Sequence, residues 1–265
     1  MSALFARVVK QALITFEREN YAAFKSNFNT LKQLVDQLTS NDLNISSELL
    51  GSNSFQQSSS RAPVKYIEIC EHKSFTMSVF IVVNKYTMPL HDHPGHGLLR
   101  VISGTARIQS YSLEHPLQNT PHILSVIEED PIEFSAKNGC SVLTPTTRNI
   151  HEITATGSCP AAFFDILSPP YESDISLYGP KKCLFYRKIP FKPVIDSPNR
   201  TCSRSNSDDD DEQDHNTNDE ASDKSKQIAY LQQVRAPNHY YCDNVYYNPP
   251  EFIANLNLLN GEEAA

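Results

Sequence analysis

No apolar run in this 265-residue sequence approaches the ~20 residues that a membrane-spanning helix needs, and the mean hydropathy is −0.43. No membrane partner is expected. Basic side chains are also short, 23 Lys and Arg against 31 Asp and Glu. A nucleic-acid binder needs a basic stripe to neutralise phosphates, so nucleic acid is not an expected partner either. The six cysteines (Cys70, Cys140, Cys159, Cys183, Cys202 and Cys242) contain no CxxC pair and no dense framework. Reduced thiols in a cytoplasmic protein are therefore expected. The charged-then-apolar pattern of a secretory signal is missing. Met1–Phe16 is amphipathic and carries Arg7 and Lys10, which leaves a mitochondrial presequence as the alternative address. Heptads are absent, which argues against a coiled-coil dimer; a monomer is expected.

What is present falls into three textures. Over residues 1–50, Leu4, Phe5, Val8, Val9, Ala12, Leu13 and Phe16, then Phe24, Phe28, Leu31, Leu34, Val35 and Leu38, recur at three-to-four spacing. That spacing predicts two amphipathic helices covering one face of a larger body. After a polar linker at 51–61, short apolar or alternating runs predict strands at 64–70, 75–83, 98–102, 105–113, 123–127, 140–144, 150–155, 161–167 and 182–189, with another run at 228–234. Such runs, closely spaced and without helical periodicity between them, point to a mainly β barrel or sandwich. Residues 196–226 hold ten acids and four bases, a charge of −6 out of the chain's −8. This span is read as a disordered acidic insertion. The rest of the chain is thus nearly neutral, and its length resolves into one domain over 62–250 rather than two, with a tail at 251–265.

The chemistry concentrates in Pro89-Leu90-His91-Asp92-His93-Pro94-Gly95-His96-Gly97. On an extended strand His91 and His93 project from one face, and two neutral imidazoles can chelate one metal ion. A third is needed for a facial set, and His151, opening the run 151–155, is the best candidate. The plainer reading of a His-x-His, two exposed polar positions, loses ground because an apolar run, Gly104 and a second strand follow, as a hairpin closing over a buried site requires.

The spacing resembles the first motif of the cupins: His-x-His, three residues, an acidic position, six residues, Gly. Here Gly97 holds the acidic position, so the carboxylate ligand of many cupins is missing. Three imidazoles without a carboxylate resemble a thiol dioxygenase's iron(II) site, though the donor set does not exclude zinc. The resemblance extends to MPLHDHPGHG (88–97), LTPTTRNIHEITA (143–155), AAFFDILSPPY (161–171), CLFYR (183–187), HYYCDNVYYNPP (239–250) and the N-terminal RVVKQALITF. The chain is similar to the family of 2-aminoethanethiol (cysteamine) dioxygenase and the plant cysteine oxidases.

That resemblance implies a cupin double-stranded β-helix, a jelly-roll-like barrel with the N-terminal helices packed outside. It implies one Fe(2+) per chain on His91, His93 and His151, with Asp165 and Tyr171 in catalytic roles. O2 and a thiol are the implied reactants, the thiol being cysteamine or the N-terminal cysteine of a peptide or protein. The product would be a sulfinic acid, and an oxygen-sensing role in an N-degron pathway would follow. Asp165 interrupts an apolar run, where an unpaired carboxylate is costly. It is expected to meet a ligand histidine's N–H or the substrate's ammonium, the alternative being a buried structural Asp. The hydroxyl of Tyr171 is expected to face substrate or O2, or else to cap the barrel mouth. Gly95 runs directly into His96, where the family usually has an extra residue, and His96 is expected to be exposed rather than a fourth ligand. The animal enzyme's Cys–Tyr crosslink positions fall on Cys183 and Phe185, with Tyr186 on the opposite strand face, so no crosslink is expected. Another metal-dependent cupin, an isomerase or a different oxygenase, and a non-catalytic cupin binding module are the competing readings.

Overall fold

A computed structural model describes residues 2–16, 21–56, 61–114, 122–173, 181–190 and 227–253. The acidic insertion at 196–226, Cys202 and most of the C-terminal tail lie outside the described residues. Two helices, α1 (Ala3–Phe16) and α2 (Phe24–Val35), are followed by two single turns, α3 (Ser47–Leu50) and α4 (Asn53–Gln56). No helix is long and apolar enough to cross a membrane among the described residues.

Thirteen strands follow: β1 (Val64–His72), β2 (Phe75–Val82), β3 (Thr87–His91), β4 (His96–Ser103), β5 (Thr105–Leu113), β6 (Ile123–Glu128), β7 (Ile132–Ser135), β8 (Ser141–Leu143), β9 (Ile150–Ala155), β10 (Ala161–Ser168), β11 (Phe185–Ile189), β12 (Gln227–Val234) and β13 (Cys242–Asn244). They build a six-stranded sheet, β13-β1-β2-β10-β4-β8, and a seven-stranded sheet, β6-β12-β11-β3-β9-β5-β7. The fold is mainly β, a two-sheet jelly-roll-like barrel as expected from the sequence.

Why the strands of the smaller sheet read as continuous apolar runs is now clear. Along β10, Ala162, Phe164 and Ile166 join the core beneath the helices, while Ala161 and Phe163 join the core inside the barrel. Successive side chains point to opposite faces, and here both faces are covered. The helices supply the outer cover: Phe5 meets Phe164 edge-on at 6.2 Å, and Phe16 lies 6.0 Å from Phe75. Each such buried aromatic contributes on the order of 2–3 kcal/mol of apolar burial. Asp36, just past α2, ties the helical layer to the sheet by accepting from the Cys140 backbone N–H at 2.6 Å. The helices therefore do lie outside the barrel, as expected.

His96 is a correction. It is not exposed but half-buried, its ring 4.8 Å from Phe24 and 5.8 Å from Phe28. Alternation along β4 explains it: His96, Leu98, Arg100 and Ile102 share the face toward the helices, while Leu99 and Val101 face the barrel interior. Burial holds the His96 imidazole below its usual pKa. No disulfide joins the five described cysteines.

Candidate metal centre

The seven-stranded sheet sets the histidines side by side. In the ladder His91 of β3 is the direct cross-strand partner of both His151 of β9 and Phe185 of β11. Cross-strand partners share a face, so all three side chains enter the barrel interior. β3 ends at His91, and His93 lies just beyond it, in the turn leading to β4. The ring centroids of the three histidines are 4.5 to 5.1 Å apart, and one nitrogen from each lies within 4.8 Å of the others.

Two of the rings have their tautomer fixed from behind. His91 Nδ1 sits 2.8 Å from the Pro89 carbonyl, and His93 Nδ1 sits 2.8 Å from the Asn149 carbonyl. A carbonyl only accepts, so each Nδ1 carries the proton and each Nε2 is left with a lone pair. Both nitrogens of His151 are buried without a hydrogen-bond partner among the described residues. Orphaned buried nitrogens are costly, and a cation shared with the neighbouring rings would remove that cost. Burial holds all three imidazoles below their usual pKa, His93 down to about 3 with the neighbouring His91 adding to the effect. They are neutral at physiological pH and ready to donate electron pairs. The residues present therefore fit a three-nitrogen metal site.

Asp165 faces this triad from the other sheet. It lies on β10 between Ser78 and Leu99, its ladder partners on β2 and β4. Its carboxyl accepts a backbone bond from Ile166, yet Oδ1 has no partner among the described residues. No ligand histidine donates to it, which corrects the first of the two partners expected for it. Burial pushes its pKa up to about 7, against that single backbone bond pulling the other way.

Triad and carboxyl line one cavity of about 240 Å³, otherwise walled by Phe80, Met88, Leu99, Ile153, Phe163, Leu167, Tyr171, Cys183, Phe185 and Tyr240. Tyr171 donates to the Asp92 carbonyl at 2.6 Å and lies within hydrogen-bonding reach of the Cys183 thiol. Its hydroxyl proton is thereby engaged with the turn that carries His93. Burial, with the Cys183 and Asp92 groups beside it, raises the phenol well above its usual pKa. Burial likewise pushes the Cys183 thiol up to about 11. Phe185 faces the cavity while Tyr186 reaches Asp92 on the other side of β11, so the expected opposite faces hold.

The absent fourth ligand has a steric reason. A Cβ on Gly97 would lie 2.8 Å from Leu143 Cδ1 and 2.9 Å from Leu167 Cδ2, so a side chain there would have to displace both leucine tips. Gly95 is required for a similar reason, because a Cβ there would run into the Ser168 carbonyl.

Three polar residues that the sequence reasoning passed over hold the turn. The Asp92 carboxylate accepts from Leu184 N at 2.9 Å and Tyr186 Oη at 3.2 Å, and pairs with Lys181 Nζ at 3.2 Å. Lys181 also donates to the His93 carbonyl at 2.6 Å. Asn149 accepts from the His93 N–H at 3.2 Å and donates to the carbonyls of Thr144 and Gly95. The available signal was a polar side chain wedged among buried positions, Asp92 between two histidines and Asn149 before Ile150.

The family described as PCO_ADO matches residues 34–252. The chain is 32% identical over 221 residues to a 2-aminoethanethiol dioxygenase of Mus musculus, covering 73% of this chain and 83% of that one. It is 30% identical over 233 residues to the Homo sapiens protein of the same name, covering 73% and 84%. Similarity to plant cysteine oxidase 1 of Arabidopsis thaliana is 27% over 147 residues, covering 53% and 49%.

Proposed function

The chain belongs to the PCO_ADO family, and from that premise we propose that it is an iron(II)-dependent thiol dioxygenase. It adds both atoms of O2 to the thiol of cysteamine or of an N-terminal cysteine, giving a sulfinic acid. The observation that carries this reading is the pairing within one cavity of three neutral imidazoles and, on the facing sheet, a buried carboxyl whose Oδ1 has no partner among the described residues. Both proposed substrates carry a thiol and an ammonium group a short distance apart, and the cavity offers one feature for each.

His91, His93 and His151 would hold the iron, which would supply a Lewis-acidic, redox-active centre for chemistry between a thiol and O2. Three neutral ligands leave the cation's charge uncompensated, which favours an anionic sulfur partner. The remaining steps belong to the protein. Asp165, with its raised pKa, loses its proton as an ammonium approaches, since an opposite charge favours the carboxylate. The resulting ion pair fixes the amine and turns the thiol toward the triad. Tyr171 holds the His93 turn through the Asp92 carbonyl and walls the cavity beside Cys183. Phe80, Met88, Leu99, Ile153 and Phe163 exclude water from the reacting sulfur. No external reductant is required, because sulfur supplies the electrons: the thiol sulfur is oxidised as O2 is reduced into the sulfinate.

The crowding at Gly97 supports this reading over a cupin using a carboxylate ligand. If N-terminal cysteine is a substrate, its oxidation generates a degradation signal, and an oxygen-sensing role follows. Anaerobic loading with iron(II), then O2 uptake with cysteamine and with a Cys-initiated peptide, tests the proposal. Stoichiometric sulfinate with at least one thiol is the expected result; no uptake with either would overturn it.

A further inference from the structure

Part of the cavity wall is not sheet. After β12 the chain leaves the seven-stranded sheet and rejoins the other sheet only at β13, which pairs in parallel with the edge of β1. Residues 235–241 thus bridge the two sheets, and Tyr240 in this strap lines the cavity.

Among the described residues the strap is held by few hydrogen bonds, and Tyr240 packs against the core inside the barrel. Tyr86 Oη donates to the His239 carbonyl at 3.3 Å, and the Tyr240 N–H closes a turn onto Pro237 at 3.0 Å. The Tyr240 ring stands edge-on to Phe185 at 5.7 Å, and Phe185 in turn lies 6.3 Å from the His91 ring. Its hydroxyl is hydrogen-bonded to the Cys242 thiol, two residues on at the start of β13. The other walls are tied far more firmly. Phe80, Met88, Leu99, Ile153, Phe163 and Leu167 sit in paired strands, and the Tyr171–Cys183 corner is fastened to Asp92.

Size then gives the wall a meaning. The cavity, about 240 Å³, is smaller than the ~300–1,000 Å³ usual for pockets that enclose a drug-sized ligand. It can house a thiol and a neighbouring amine, but not the residues that follow a cysteine in a peptide. The cavity is open where its partly exposed lining residues lie, Tyr240 among them, and a peptide substrate has to leave on that side, past the ring carried by the strap.

We propose that Tyr240 is the specificity-determining residue of this site, a ring on a weakly tied strap that a small aminothiol leaves in place and a Cys-initiated peptide must displace. This rests on the thiol dioxygenase reading above and names which residue divides its two substrate classes. Displacing the ring costs binding energy with a peptide alone, so the discrimination appears in KM.

The test compares kcat/KM for a Cys-initiated peptide with that for cysteamine in the iron-loaded full chain and its variants. Tyr240→Ala is expected to raise the peptide-to-cysteamine ratio about tenfold, chiefly through a lower peptide KM. Tyr240→Phe, which keeps the ring, should hold the wild-type ratio. Tyr86→Phe, outside the cavity lining, should loosen the strap and raise the ratio severalfold, which covers the case in which Tyr240→Ala does not fold. An unchanged ratio in both loosening variants would overturn the proposal. So would an equal fall in kcat for both substrates in Tyr240→Phe, which would make the hydroxyl a participant in the reaction. Hydrogen exchange of residues 235–241 gives a readout independent of turnover. Under anaerobic conditions the Cys-initiated peptide should speed exchange at Tyr240, cysteamine should not, and identical exchange with both would count against the strap. Failure of the wild-type protein to oxidise any thiol would instead sink the parent reading.

Discussion

Asn149 grips His93 from two directions. Its side-chain oxygen accepts from the His93 backbone N–H at 3.2 Å, while its own carbonyl lies 2.8 Å from His93 Nδ1. One residue thus sets both the backbone position and the ring tautomer of a candidate ligand. Asn149→Ala removes the first of these contacts along with the bonds to Thr144 and Gly95. Metal affinity should fall about 10- to 100-fold, the usual effect of removing the groups that orient a ligand. Stability should fall by about 2 kcal/mol, because buried partners are left unmade. Chelator competition and urea unfolding measure the two effects separately.

His151→Ala deletes the ring whose nitrogens have no partner among the described residues. The metal-free protein should therefore lose little through hydrogen bonding. The ligand-linked stabilisation should largely vanish: an ion at about 100 times its Kd stabilises the folded state by about 2.7 kcal/mol. Thermal unfolding with and without iron(II) should show a metal-dependent rise in Tm in the wild type and almost none in the variant.

Asp165 makes the metal-free protein less stable as the pH rises from about 4 to about 7. Its folded pKa, about 7, lies above the ordinary value of 3.8 because burial penalises the charge. Its contribution to stability is thus fully present below about pH 4 and lost as the pH rises through about 7. Asp165→Asn removes the titrating group, so its stability relative to wild type should increase from pH 4 to pH 7 and then level off. Denaturant unfolding of the metal-free proteins at pH 5 and pH 8 checks the direction. The same variant should lose activity toward amine-bearing thiols, mostly in KM, because no carboxylate remains to meet the ammonium.

Gly97→Glu asks whether the missing cupin carboxylate can be restored. The answer expected from Leu143 and Leu167 is that it cannot, since even a Cβ lies within 2.9 Å of both side chains. Overpacking should cost about 1–3 kcal/mol. The visible spectrum of the cobalt-substituted variant should keep its three-nitrogen character, with no added oxygen ligand.

The strands most legible in the sequence were those covered on both faces. β10, between β2 and β4, is apolar at nearly every position, and its single acid announced itself for that reason. β3 was not read as a strand although it carries His91. Pro89 lies inside it, and proline normally argues against a central strand; here it coincides with a shift in the β3–β9 register between Met88 and His91. β13 is only three residues long and is defined by its pairing with β1, about which local pattern says nothing. The histidines could be found because imidazole spacing is a local property. Asp92, Asn149 and Lys181 could not, because their roles depend on backbone groups that only the folded chain brings near.

The second position of β12 in the seven-stranded sheet, between β6 and β11, bears on biosynthesis. A ribosome must translate through Val234 before the gap between those strands can be filled. Until then a nascent chain presents two unsatisfied hydrogen-bonding edges, the open side of β6 with Ile123 and Ile127 among them, and such edges invite pairing with other chains. Translation that stalls within residues 191–226 would leave the metal ligands already made but the barrel unsealed. For this protein the hazard of premature termination is aggregation as much as lost catalysis.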